Sequence, residues 1–144
     1  MNVISKFSDE YDFLSNFYES PVTYEGFTYR NSEAAYQAQK CSIVLERVKF
    51  TTLTAHHAKK LGRSVNIRLD WENVKADVMF HVVLSKFEQN TELAHKLMQT
   101  GDAYLEEGNT WGDTTWGTVN GQGQNLLGKI LMDVRRVLKE RNIE

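Results

Sequence analysis

The chain holds one cysteine and one proline in 144 residues, carries almost no net charge and has no long apolar run. Each shortage excludes something. A single thiol, Cys41, rules out an internal disulfide framework and an all-cysteine zinc site. No apolar stretch approaches the roughly 18 residues that a membrane-spanning helix needs. The opening residues Met1-Asn2-Val3-Ile4-Ser5-Lys6 lack the apolar core of a secretory signal, so a reducing cytoplasm is the expected setting, with no membrane partner. A net charge of −2 offers nucleic acid no broad attraction, although a small local anion pocket stays open.

What is present is an ordinary globular balance of 41% hydrophobic and 25% charged residues, which excludes a disordered tail or fibrous repeat. The length suits one domain over residues 1–144, able to bury roughly 68–70% of its unfolded surface without staples. Aromatics are plentiful, at seven Phe, six Tyr and three Trp. Several sit among polar residues and glycines, which suits a ring-binding site as well as core filling.

The periodicities predict a predominantly helical α+β domain with a small β-hairpin. Residues 21–29 alternate around Glu25-Gly26, where Gly26 supplies the positive φ of a tight turn. Asn31-Ser32 offers an N-cap for a helix over 33–47. Thr54 caps a helix ending at Leu61-Gly62, with Gly62 in the left-handed position. Asp70 opens a helix to about Phe87, Thr91 one to Thr100-Gly101, and residues 102–123 form a glycine-rich loop with a short strand. The last helix shows Leu126, Leu127, Ile130, Leu131, Val134, Val137 and Leu138 on one side.

On a helix over 33–47, Glu33, Tyr36, Gln37, Lys40 and Val44 share a polar and aromatic face beside a small apolar one formed by Ala34, Ala38, Cys41 and Leu45. Glu33 in the first turn is favoured as an anion, which suits a base or a stabiliser of positive charge. It equally suits a solvated residue that merely complements the helix dipole. The 102–125 segment combines Asp102, Glu106, Glu107 and Asp113 with Trp111 and Trp116. Acids and aromatics in such a loop fit a site that stabilises a cationic sugar-like transition state, or a polar loop with two anchoring tryptophans. The run from Gly121 to Asn125 offers the last helix a phosphate-binding start or a plain cap. It is no dinucleotide fingerprint. Adjacent His56 and His57 diverge on a helix, so no metal or cofactor is expected. Cys41 reads as core, and Arg63 and Arg68 flank the approach to Trp71.

The ordered set of segments resembles the YbiA-like, or NADAR, family. It comprises 13–17 (Phe-Leu-Ser-Asn-Phe), 29–40 with Glu33, Tyr36, Gln37 and Lys40, then Gly62-Arg63 and Asp70-Trp71 with Lys75 and Met79. Lys86-Phe87, 100–106, Asp113 with Trp116-Gly117, and 123–135 complete it. It departs at Tyr29, where many members have tryptophan.

The resemblance implies a compact, largely helical fold with minor β structure and hydrolysis of N-glycosidic bonds. The implied substrate is a phosphorylated aminopyrimidine riboside of early riboflavin biosynthesis. The alternatives are removal of ADP-ribose from modified guanine in nucleic acid, or a non-catalytic module that binds ADP-ribose or a nucleotide. Nucleic acid would then enter only as a modified substrate. The implied catalytic carboxylates are Glu33 and Asp113. Lys40 and Arg63 would hold phosphate, while Phe17, Tyr36, Trp71 and Trp116 would stack or shape the pocket. Asn16 and Asn125 would bond ribose or base edges.

Overall fold

The computed structural model describes residues 2–142. About half of them are helical and the strands are few and short, as an α+β chain dominated by helices requires. Two units are formed. One is contiguous, residues 16–90, and the other joins residues 2–15 to 91–142.

In the contiguous unit, β2 (Glu19–Tyr24) and β3 (Phe27–Asn31) pair antiparallel, with Val22 opposite Tyr29 and Tyr24 opposite Phe27. Glu25 (φ 49°) and Gly26 (φ 91°) both take positive φ in the two-residue connection, which matches the twist of the flanking strands. The hairpin passes directly into α1 (Ser32–Ala38), because Asn31 ends β3 and its side chain accepts from the Ala34 amide at 2.7 Å.

α1 is shorter than the pattern predicts. After Ala38 the backbone turns to residues 66–68, where Ser42 N–H reaches Asn66 O and Arg68 N–H reaches Lys40 O, both at 2.9 Å. Those bonds and the Cys41–Ile67 bridge take the groups a longer helix would use, and the β-branched Ile43 is extended. A 3₁₀ helix, Val44–Phe50, follows, so the predicted face running on to Lys40 and Val44 does not exist as a helical stripe.

Helix α2 (Ala55–Leu61) is capped by Thr54 as predicted, but Gly62 is right-handed at φ −60°. Helix α3 (Trp71–Gln89) lays Met79, Val82, Val83, Lys86 and Phe87 inward. The core of this unit gathers Val22, Tyr29, the α1 alanines, Cys41, Phe50, Ala58 and Val82, so Cys41 is core.

In the other unit, β1 (Val3–Ile4) runs parallel to β4 (Tyr104–Leu105), with Val3 opposite Tyr104. A 3₁₀ helix spans Asp9–Leu14, α4 spans Thr91–Gln99 and α5 spans Leu126–Arg141. Leu127, Ile130, Leu131, Val134 and Leu138 form the buried side of α5, as its periodicity predicts.

Among the described residues no helix is long and apolar enough to cross a membrane.

Candidate functional site

Glu33 lies in the first turn of α1 and is 7% exposed. That is far from the solvated face of an ordinary surface helix, and all seven α1 residues are buried. Its backbone N–H donates to Asn16 O at 3.0 Å, and its Oε2 accepts from Gln37 Nε2 at 2.7 Å, one helical turn along.

Lys40 follows the helix end, half-buried. Burial pushes its ammonium below the usual lysine value, Glu33 pulls it up, and Arg63 and Lys75 push it further down. Glu33, Lys40 and Arg63 therefore share one electrostatic neighbourhood despite the shorter helix. Arg63 is exposed and its guanidinium has no partner among the described residues. Arg68, by contrast, is closed on Asp70 through two bonds of 2.6 and 3.0 Å.

The predicted aromatics fall into two kinds. Tyr36 and Trp71 are buried against each other, ring centroids 5.2 Å apart, and so form a wall. Phe17 is 44% exposed, with Lys59 Nζ 5.9 Å from its ring, and so offers a face for stacking.

Asn16 is held inside the fold. Its Oδ1 accepts from Ser32 Oγ at 2.8 Å and its Nδ2 lies 3.3 Å from Met79 Sδ. Its side chain thus anchors the start of α1 rather than standing open to a ligand.

In the other unit, Asp113 Oδ1 accepts the backbone N–H groups of Thr115 (3.0 Å) and Trp116 (2.9 Å), folding the loop around its own carboxylate. Asn109 clasps the same residue through both backbone groups. Asp113 and Trp116 are half-buried. Asn125 is buried in a left-handed conformation at φ 52°. Its amide bonds Leu105 O, the Tyr104 hydroxyl and the Glu107 N–H, so it ties β4 to the start of α5 and does not cap that helix with its side chain.

Lys86 belongs to the family resemblance but carries no predicted role. It is 1% exposed, with Nζ 5.7 Å from the Tyr18 ring centre and 5.2 Å from that of Phe87. The signal was available: Lys86 stands three, four and seven residues beyond Val83, Val82 and Met79 on the inward face of α3. A lysine at a core position of a helix is rare without a partner or a function. Trp111 is 64% exposed, so it is not a buried anchor of the loop.

Two cavities, of about 580 and 440 Å³, are lined by other residues altogether, the first by 2–6 and 8–11 with Gln99, Thr100 and Ala103, the second around Cys41 and Phe50. Neither contains a candidate residue. Among the described residues no cluster of three or more His, Cys, Asp or Glu could hold a metal ion.

Comparison with known proteins adds four findings. The family model for the NADAR domain matches residues 4–139. A riboflavin biosynthesis protein of Vibrio vulnificus is 40% identical over 92% of this chain, which spans 37% of that protein's length. The N-glycosidase YbiA of Escherichia coli is 38% identical over 91% of this chain and 84% of its own length. The NMR structure of E. coli YbiA matches with a TM-score of 0.88 at 36% identity, covering 99% of this chain and 88% of that one.

Proposed function

The chain belongs to the NADAR family, and from that membership we propose that it hydrolyses the ribosyl C–N bond of a phosphorylated aminopyrimidine riboside. It is a hydrolase acting on N-glycosyl bonds, with a small nucleotide-like glycosylated substrate. The choice of aminopyrimidine is supported by the riboflavin biosynthesis protein among its relatives. The match running from residue 4 to 139 through both units supports treating the chain as one catalytic domain.

The observation that carries the reading is Glu33, a carboxylate almost removed from water, fixed by Gln37 and electrostatically coupled to Lys40. Departure of the amine builds positive charge on the ribose, and an oriented carboxylate in a dry setting stabilises such charge. Glu33 takes that role. The family resemblance implies Asp113 as the second carboxylate, for the activation of water; within its own unit its Oδ1 is fixed by two amides. Water adds hydroxyl to the anomeric carbon and a proton to the departing nitrogen, giving ribose 5-phosphate and the free aminopyrimidine. Lys40 and Arg63 hold the phosphate, Phe17 offers a ring face, and Tyr36 with Trp71 shapes the wall, while the resemblance implies Trp116 as a further aromatic of the site. Asn16 and Asn125 act through the backbone they hold.

Incubation with the aminopyrimidine riboside phosphate and, separately, with ADP-ribosylated guanosine tests this. Wild type should release ribose 5-phosphate from the first, and Glu33→Gln should lose about a hundredfold or more in kcat. Unchanged turnover by Glu33→Gln removes Glu33 from the mechanism. Release of ADP-ribose alone moves the substrate to the modified-guanine class.

A further inference from the structure

Gln37 is 5% exposed, and its two amide ends have unlike surroundings. Nε2 donates to Glu33 Oε2 at 2.7 Å. Oε1 is buried with no hydrogen-bond partner among the described residues. A buried acceptor left in this state is unfavourable, and a flipped amide would set two acceptor oxygens face to face, so the carboxylate dictates the orientation. What lies on the far side of the amide is Gly62. A β-carbon built there would overlap Gln37 Oε1 and come within 2.8 Å of its Cδ. Gly62 has right-handed backbone, so its conformation does not require glycine. Space for the Gln37 amide does.

We infer that Gln37 is the positioning residue of Glu33, and that Gly62 is glycine so that the Gln37 amide can lie against it and reach that carboxylate. This rests on the reading of Glu33 given above and extends it by two residues that never touch substrate. A hydrogen bond donated to an ionised carboxylate stabilises that form, so loss of the Gln37 donor should raise the pH at which Glu33 gains its proton. Other charges around α1 bear on the same titration. Lys40 and Arg63 lie beyond its end, and Glu72 and Lys75 of α3 are paired with each other. Lys59 of α2 lies over Phe17, and Lys86 of α3 lies over Tyr18. Glu19 and Arg30 of the hairpin are paired, while Glu46, Arg47 and Lys49 act on Cys41.

The test uses Gln37→Met, which keeps the length but donates no hydrogen bond, Gly62→Ala, and the double variant Gln37→Met/Gly62→Ala. The Glu33 carboxyl carbon is followed by NMR against pH, and kcat and KM are measured on the aminopyrimidine riboside phosphate. Expected are a rise of about one pH unit in the Glu33 midpoint in both single variants, and a fall of about ten- to a hundredfold in kcat with KM little changed. The double variant should be no worse than the more damaged single one, because both act on one contact. A merely structural loss would lower thermal stability without moving the Glu33 midpoint. An unshifted midpoint in folded Gln37→Met overturns the role of Gln37, and an unshifted midpoint in Gly62→Ala overturns that of Gly62. If instead the midpoints move while Glu33→Gln stays active, the positioning stands and the catalytic reading of Glu33 falls.

Discussion

Lys40, proposed above to hold the substrate phosphate, is a charge that its own fold disfavours. Its ammonium is held below the ordinary lysine value of 10.5 first by burial and then by Arg63 and Lys75, with Glu33 acting against them. The folded chain therefore binds this proton more weakly than the unfolded chain does. Charged Lys40 detracts from stability at neutral pH, and the penalty fades as pH rises through its folded value towards 10.5. Lys40→Met should accordingly melt about 1–2 °C higher than wild type at neutral pH, with the gap closing in alkali. Its KM for the phosphorylated riboside should rise about ten- to a hundredfold with kcat less affected, as for loss of a charge-assisted phosphate contact. A lower melting temperature at neutral pH would contradict the first expectation, and an unchanged KM the second. Residue type singled out Glu33 without deciding between a catalytic and a solvated role, and left the phosphate roles of Lys40 and Arg63 to the resemblance. It could not distinguish Asn16 and Asn125, whose amides are engaged by Ser32, Met79, Leu105, Tyr104 and Glu107, from asparagines open to a ligand. An asparagine's chemistry is the same in both cases, and only its neighbours across the fold decide.

At the level of elements, α1 depends on the residue before it. Asn31 is fully buried, caps the helix, and donates to Glu19 Oε2 at 3.0 Å and Leu53 O at 3.3 Å. Asn31→Ala should cost about 2–3 kcal/mol in a urea titration, the cap and the severed donors together. Asn31→Asp should recover little of this, because it restores the acceptor but turns a carboxylate towards Glu19. Full recovery in Asn31→Asp would mean that only the cap matters. This N-cap, the hairpin turn, α3 and α5 were all legible, because each is written in residues adjacent in sequence or repeating along one face. The end of α1 was not. It is decided by residues 66–68, more than twenty positions away, whose backbone takes up the groups a longer helix would use. The parallel pairing of β1 with β4 left no local trace either, two residues being too short for any period to show.

For the molecule as a whole, the near-neutral balance of charge sets an expectation about ionic strength. A substrate with one phosphate held by Lys40 and Arg63 releases few counterions. Activity on the aminopyrimidine riboside phosphate should therefore fall no more than about threefold between about 50 and 200 mM salt. A loss of a hundredfold or more over that range would instead indicate a polyanionic substrate. Chain order has an effect of its own. The unit holding Glu33, residues 16–90, is contiguous, whereas the other unit waits for both of its parts, since Val3 pairs with Tyr104 about a hundred residues later. At about 5–20 residues per second on a ribosome, the first strand spends about 5–20 s without its partner. The Glu33 unit emerges complete within that interval, so the order of synthesis favours its folding before β1 finds its mate.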